Sequence, residues 1–136
     1  MNLNPNERHA IACAQDIRLR AHAPYSGKHV GAAVITVSGA VFAACNVENA
    51  NAALRVCAER NAIAQAIAAG HREFDAVIVL GPDERFWPPC TECRAVILEF
   101  AANPRILMCN ADGLIHAAPL ADLDAIPFSR DGEEMP

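Results

Sequence analysis

The sequence predicts an α/β protein with a central mixed sheet and helices packed on its faces. Two observations carry this. Along the 136 residues, helical and extended segments follow one another as helix, strand, strand, helix, strand, helix, strand, strand and short helix. Hydrophobic residues make up 53% of the chain and charged residues 20%, enough apolar side chain for a packed core in a single domain over residues 1–136. No internal repeat, low-complexity tract or linker divides that domain.

Each element has a local cause. Asn6 to Ala23 reads as a first helix, ended by Pro24. Val30 to Thr36 and Ala40 to Ala44 read as strands joined by the turn pair Ser38-Gly39, a hairpin. Asn46 to Asn51 is polar and irregular. Arg55 to Ala69 follows as an alanine-rich helix closed by Gly70, slim enough to lie close against a sheet. Ala76 to Leu80 is a short continuous apolar run, the pattern of a buried strand. Pro88-Pro89 breaks the chain before a helix over Cys90 to Ala102. Asn103-Pro104 turns into a strand over Arg105 to Cys109. Asp112-Gly113 leads to a short strand around Ile115 to Ala117, then a short helix over Pro119 to Ile126. The tail from Arg130 is polar. Strand–helix–strand units of this kind cross over right-handedly.

Charge and leader signals narrow the function classes. A net charge of −5 gives no overall attraction for phosphate backbones, so duplex nucleic acid is not the expected partner. The first nine residues lack a basic segment followed by an apolar run, and no apolar stretch is long enough to span a bilayer. The expectation is a cytoplasmic protein with no membrane partner.

Six cysteines stand out in such a chain. In a reducing compartment, closely spaced cysteines indicate metal binding or catalysis rather than disulfides. Cys57-Ala58-Glu59 opens the alanine-rich helix. Pro89-Cys90-Thr91-Glu92-Cys93 opens the next one, where the spacing puts Cys90 and Cys93 on one face of its first turn. Free backbone N–H groups and the helix dipole stabilise thiolates there. Three thiolates from two helix N-termini suit Zn²⁺, which takes four ligands and in catalytic sites leaves one position to water. Glu59, two residues after the first cysteine, is placed to act as a non-ligating proton carrier. Three thiolates on one divalent cation leave a net negative charge. Arg60 and Arg94 are the nearby cations that can donate to the sulfurs. Two other readings stand beside this one: a structural zinc with Cys109, Cys45 or His71 as fourth ligand, and a thioredoxin-like redox pair at Cys90 and Cys93.

Together these motifs resemble the cytidine deaminase family in its three-cysteine form. The resemblance runs from about Ala23 to Phe100, with a fainter echo to Phe128. It rests on Ala23-Pro24-Tyr25-Ser26 with Val30-Gly31-Ala32-Ala33, on Cys45-Asn46-Val47-Glu48-Asn49-Ala50, on Cys57-Ala58-Glu59-Arg60, and on Pro89-Cys90-x-x-Cys93-Arg94. Four motifs in this order are specific where any one alone is not. The resemblance implies a three-layer α/β/α sandwich and a homotetramer. It implies Zn²⁺ held by Cys57, Cys90 and Cys93, with Glu59 as the proton shuttle in hydrolytic deamination of a small-molecule nucleoside. It implies that Asn46 and Glu48 hold the ribose hydroxyls, which suits an amide and a carboxylate.

The departures from the family pattern fall on the substrate side. Lys28 stands where the family has a phenylalanine near the base, and a tyrosine near Ala52 or Ala53 is missing. Thr91 and Ala95 replace a glycine and a glutamine. Arg130 aligns loosely with a phenylalanine that stacks on the base from a neighbouring subunit. Lys28 and Arg130 are therefore candidate substrate-binding residues that add positive charge, and Phe86-Trp87 offers replacement aromatic surface. The expected activity is deamination of cytidine, deoxycytidine or a close relative, with ammonia released. The alternatives are a blasticidin-type deaminase of a modified or anionic nucleoside, and a non-catalytic zinc-binding protein on the same fold.

Overall fold

The computed structural model describes residues 2–125. Its elements are α1 (Pro5–Arg18), β1 (Gly31–Thr36), β2 (Val41–Cys45), a 3-10 turn (Ala52–Leu54), α2 (Ala58–Ala68), β3 (Phe74–Leu80), α3 (Thr91–Phe100), β4 (Arg105–Cys109), β5 (Ile115–Pro119) and a 3-10 helix (Leu120–Ala125). The strands form one sheet in the order β2-β1-β3-β4-β5. β3 and β4 are parallel and the other neighbours antiparallel. The mixed sheet is as expected.

Period-two alternation divides the core between the two faces of this sheet. Ala33, Ile35, Ala76, Ile78, Leu80 and Leu107 pack with Ala10, Ile11 and Ala14 of α1. Val34, Val77, Ile106 and Met108 point the other way, against Ala62, Ile63 and Ala66 of α2 and Ile97 of α3. One helix on one face and two on the other make the α/β/α sandwich. All six residues of β1 are buried, as a central strand between two layers requires.

α1 is tied down at both ends. Asn4 caps it, accepting from the Glu7 backbone N–H at 2.8 Å, while Glu7 Oε1 accepts from the Asn4 N–H at 3.0 Å. The other oxygen of Glu7 lies 3.3 Å from Arg105 at the start of β4. The helix ends at Arg18, five residues before the expected boundary. Beyond it the chain is recruited by another segment: the His22 N–H donates to the Asn46 carbonyl and the His22 carbonyl accepts from the Glu48 N–H. This tertiary pairing overrides a local sequence that permits helix. Similarly, α2 begins at Ala58 rather than Arg55, because Val56 exchanges backbone hydrogen bonds with Val47 at 2.9 and 3.0 Å. β5 runs on to Pro119, and the final helical segment is a 3-10 helix rather than an α-helix.

The register sets where the site falls. Cys45, Gly31, Leu80, Cys109 and Ile115 lie side by side along one edge of the sheet. The chain leaves β2, β3 and β4 and enters β1 and β5 at this edge. The N-termini of α2 and α3, which follow β2 and β3, return to it.

Gly31 sits where α1 crosses this edge. A Cβ there would lie 2.3 Å from the Ala14 carbonyl oxygen, a backbone atom that cannot swing away. Gly31→Ala is expected to destabilise the protein by about 1–3 kcal/mol through this overlap. A urea titration should show a lower midpoint with an unchanged slope.

Candidate metal centre

Three sulfurs converge at the sheet edge. The Sγ atoms of Cys57, Cys90 and Cys93 all lie within 4.8 Å of one another, and those of Cys57 and Cys90 are 3.7 Å apart. Tetrahedral zinc with Zn–S bonds of about 2.3 Å needs sulfurs roughly 3.8 Å apart, so the cluster fits that ion. The helices present the sulfurs somewhat differently from the expected first-turn placement. Cys57 and Cys90 are the N-cap residues of α2 and α3, and Cys93 lies in the first turn. N-cap backbone is extended, which lets each side chain lean across the helix end; the Cys90 sulfur accepts from the Cys93 N–H at 3.4 Å.

The electrostatics of the cluster are those of a cation site. Hydrogen bonds from Cys90 and Cys93, with a further one from Arg60, hold the Cys57 thiol down to about 2. Donating to Cys57 pushes Cys90 up to about 12 and Cys93 higher still. Crowded sulfurs thus share their charge and protons, and a divalent cation relieves that crowding by taking the place of the protons. Arg60 Nη2 lies 3.6 Å from the Cys57 sulfur, as expected for a cation offsetting the excess negative charge. Its Nε is buried with no partner among the described residues. Arg94 bonds instead to the carbonyls of Pro89, at 3.3 Å, and Leu123. Among the described residues it braces the turn that carries Cys90.

Glu59 is 4% exposed and sits in the first turn of α2. Burial first, and the negative charge of Cys57 second, raise its carboxyl to about 7. A carboxyl at that value exchanges its proton readily at neutral pH.

The three other candidate ligands lie elsewhere. Cys109 packs on the α1 face, where burial pushes its thiol up to about 11. His71 packs against the Phe42 ring. Neither these residues nor Cys45 joins the sulfur group.

The structure also places the substrate-side candidates near this edge. Asn46 holds the loop before β1, accepting from the Val30 N–H at 2.9 Å and donating to the Lys28 carbonyl at 2.9 Å. Glu48 accepts from the Tyr25 and Ser26 N–H groups at 3.0 and 3.1 Å and from the Ser26 hydroxyl at 2.6 Å. Burial opposes its ionisation, but these bonds outweigh it and lower its pKa. Arg130 lies outside the described residues.

Sequence reasoning did not anticipate the platform beside Cys90. The Trp87 indole N–H donates to Asp83 at 2.8 Å, and Arg85 bonds the same carboxylate at 2.7 Å. The ring presses on Gly81, where a Cβ would meet it at 2.7 Å. No spacing rule links Gly81, Asp83 and Trp87; the sequence marked Phe86-Trp87 as aromatic surface but not what would hold the ring. Burial pushes the Asp83 carboxyl up, but the bonds from Arg85 and Trp87 prevail and hold it at about 2, below its ordinary 3.8. A depressed folded-state pKa stabilises above the unfolded value and is lost as pH falls through the folded one. Urea midpoints of wild type and Asp83→Asn should therefore differ by a constant amount from about pH 5 upward, and the gap should close as pH falls from roughly 4 toward 2.

Comparison with known proteins agrees with this geometry. Residues 5–109 match the model of the cytidine and deoxycytidylate deaminase zinc-binding region. The crystal structure of cytidine deaminase from Burkholderia pseudomallei superposes with a TM-score of 0.80 at 39% identity, covering 85% of this chain and 94% of that one. Cytidine deaminase of Sporosarcina psychrophila is 35% identical over 122 residues, 89% of this chain and 90% of that protein. Blasticidin-S deaminase of Bacillus cereus is 29% identical over 111 residues, 76% of this chain and 79% of that protein. With its fold, its three-sulfur centre and these matches in accord, the chain belongs to the zinc-dependent cytidine deaminase family.

Proposed function

We propose that this enzyme hydrolyses the exocyclic amine of cytidine, deoxycytidine or a closely related aminopyrimidine nucleoside. Water is consumed, a ring carbonyl forms and ammonia leaves. The observation that carries this reading is Glu59, a buried acid directly beside a three-sulfur cluster and poised near neutrality. A purely structural zinc has no use for such a group. Zinc held by Cys57, Cys90 and Cys93 supplies Lewis-acid activation of water. Glu59 takes one proton from the attacking water and passes it to the ring nitrogen, then takes the remaining hydroxyl proton and passes it to the amine, which leaves as ammonia while the carbonyl forms. Arg60 offsets the negative charge of the thiolates.

The same reading places Asn46 and Glu48 beside the sugar. They lie on the segment joined to Val56, which leads directly to Cys57, and their side chains already bind polar groups of the 25–30 loop. A ribose hydroxyl would enter this hydrogen-bonded set. We propose a homotetramer, as the family resemblance implies. Six free cysteines fit a reducing, cytoplasmic setting. The blasticidin-type alternative is kept for one reason: Lys28 puts a cation over Trp87, on the loop that Asn46 and Glu48 hold.

Two outcomes test the reading. Zinc-loaded protein should release ammonia from cytidine, and Glu59→Gln should lower kcat by about 10²–10⁴-fold while still binding one zinc per chain by elemental analysis. Exhaustive chelation should abolish turnover and lower Tm, because a ligand of the folded state alone stabilises it; added zinc should restore both.

A further inference from the structure

The metal centre and the loop before β1 lie at the same end of the strands. A closed ring of contacts joins them. Val47 pairs with Val56, which leads to Cys57. The Cys57 and Cys90 sulfurs are in contact. Two buried prolines lead back from Cys90 to Trp87. The Lys28 ammonium lies 5.3 Å from the centre of the Trp87 ring, and its carbonyl accepts from Asn46, next to Val47. Lys28 is thus the link that closes the ring between the sugar-side segment and the metal side.

Its charge is held in a defined place. Trp87 is 6% exposed and is itself fixed by Asp83 and Gly81. An ammonium seated on an aromatic face is positioned before any ligand arrives, which lowers the ordering cost of binding. A cavity of about 310 Å³ runs along the same loop, bordered by Gly27 and His29 on either side of Lys28 in sequence and by Arg18 and Pro82. The ionisable side chains lining it are basic.

We propose that Lys28, seated on Trp87 and held through its carbonyl by Asn46, is the specificity-determining residue that reads an acidic group, a phosphate or a carboxylate, on the nucleoside. The enzyme then prefers an anionic aminopyrimidine nucleoside to the neutral one. An ammonium can donate to such a group, and charge-assisted bonds are stronger than neutral ones. This proposal rests on the deaminase reading.

The test compares kcat/KM of the zinc-loaded enzyme for cytidine, cytidine 5′-monophosphate and a cytidine 5′-carboxylate. The wild type should prefer one or both anionic substrates. Lys28→Met, which keeps the length of the side chain and removes its charge, should reduce that preference by roughly 10-fold or more, mainly through KM. Raising salt from about 20 to 200 mM should weaken the preference in the wild type more than in the variant. Phosphate alone, carboxylate alone or both being preferred identifies the group that is read. A far-UV circular dichroism spectrum and a zinc content matching the wild type show that the variant is folded. Turnover of cytidine with no anionic preference, or equal losses on all three substrates in Lys28→Met, overturns the proposal and leaves the deaminase reading standing. No turnover of any substrate by zinc-loaded wild type overturns both.

Discussion

Three sulfur atoms must meet around one cation, and the rest of this fold is arranged to let them. Thiols packed this closely cannot all ionise without a positive charge among them. They come from two stretches of chain 33 residues apart. The sheet solves the meeting problem by register. Cys45 and Leu80 flank Gly31 at one edge, so the helices after β2 and β3 start side by side. Cys57 and Cys90, as N-caps, place their sulfurs just beyond the helix ends, where backbone N–H groups favour negative charge.

A site at that position also needs a slim scaffold. The alanines of α2 let the helix lie close to β1 and β2 with Ala58, Ala62 and Ala66 fully buried. Close packing buries Glu59 with them. Burying a carboxyl raises its pKa, and the neighbouring Cys57 charge raises it further. The raised pKa of Glu59 is therefore a product of the same packing that brings the three sulfurs together, not a separate feature. Arg60 sits at the junction, with its guanidinium at the Cys57 sulfur and the Arg55 carbonyl.

The substrate side is built by polar side chains rather than by core packing. Asn46 and Glu48 hold the loop from Tyr25 to Val30 through its backbone. Trp87, anchored on Gly81 and Asp83, meets that loop at Lys28. A loop held by a few directional bonds tolerates exchange of its exposed side chains without loss of the fold. Lys28 is a side chain of that loop, and its proposed part is in substrate choice rather than in stability.

The chemistry was legible in the sequence because it resides in residue types at short spacing: Cys57 with Glu59, and Cys90 with Cys93. The strands were legible because alternation and apolar runs report burial directly. Helix ends were not. Nothing within Leu19 to Ala23 shows that His22 will pair with Asn46 and Glu48, or within Arg55 to Val56 that Val47 will claim that backbone. Such pairings join residues far apart in the chain and outweigh local propensity. The Gly81–Asp83–Trp87 platform and the seat it gives Lys28 were invisible for the same reason. By itself, the sequence determined which residues are the candidates to bind the metal and move the proton. The tertiary structure alone decided how those atoms meet and how their pKa values shift, because distance, burial and charge exist only once remote segments are packed together.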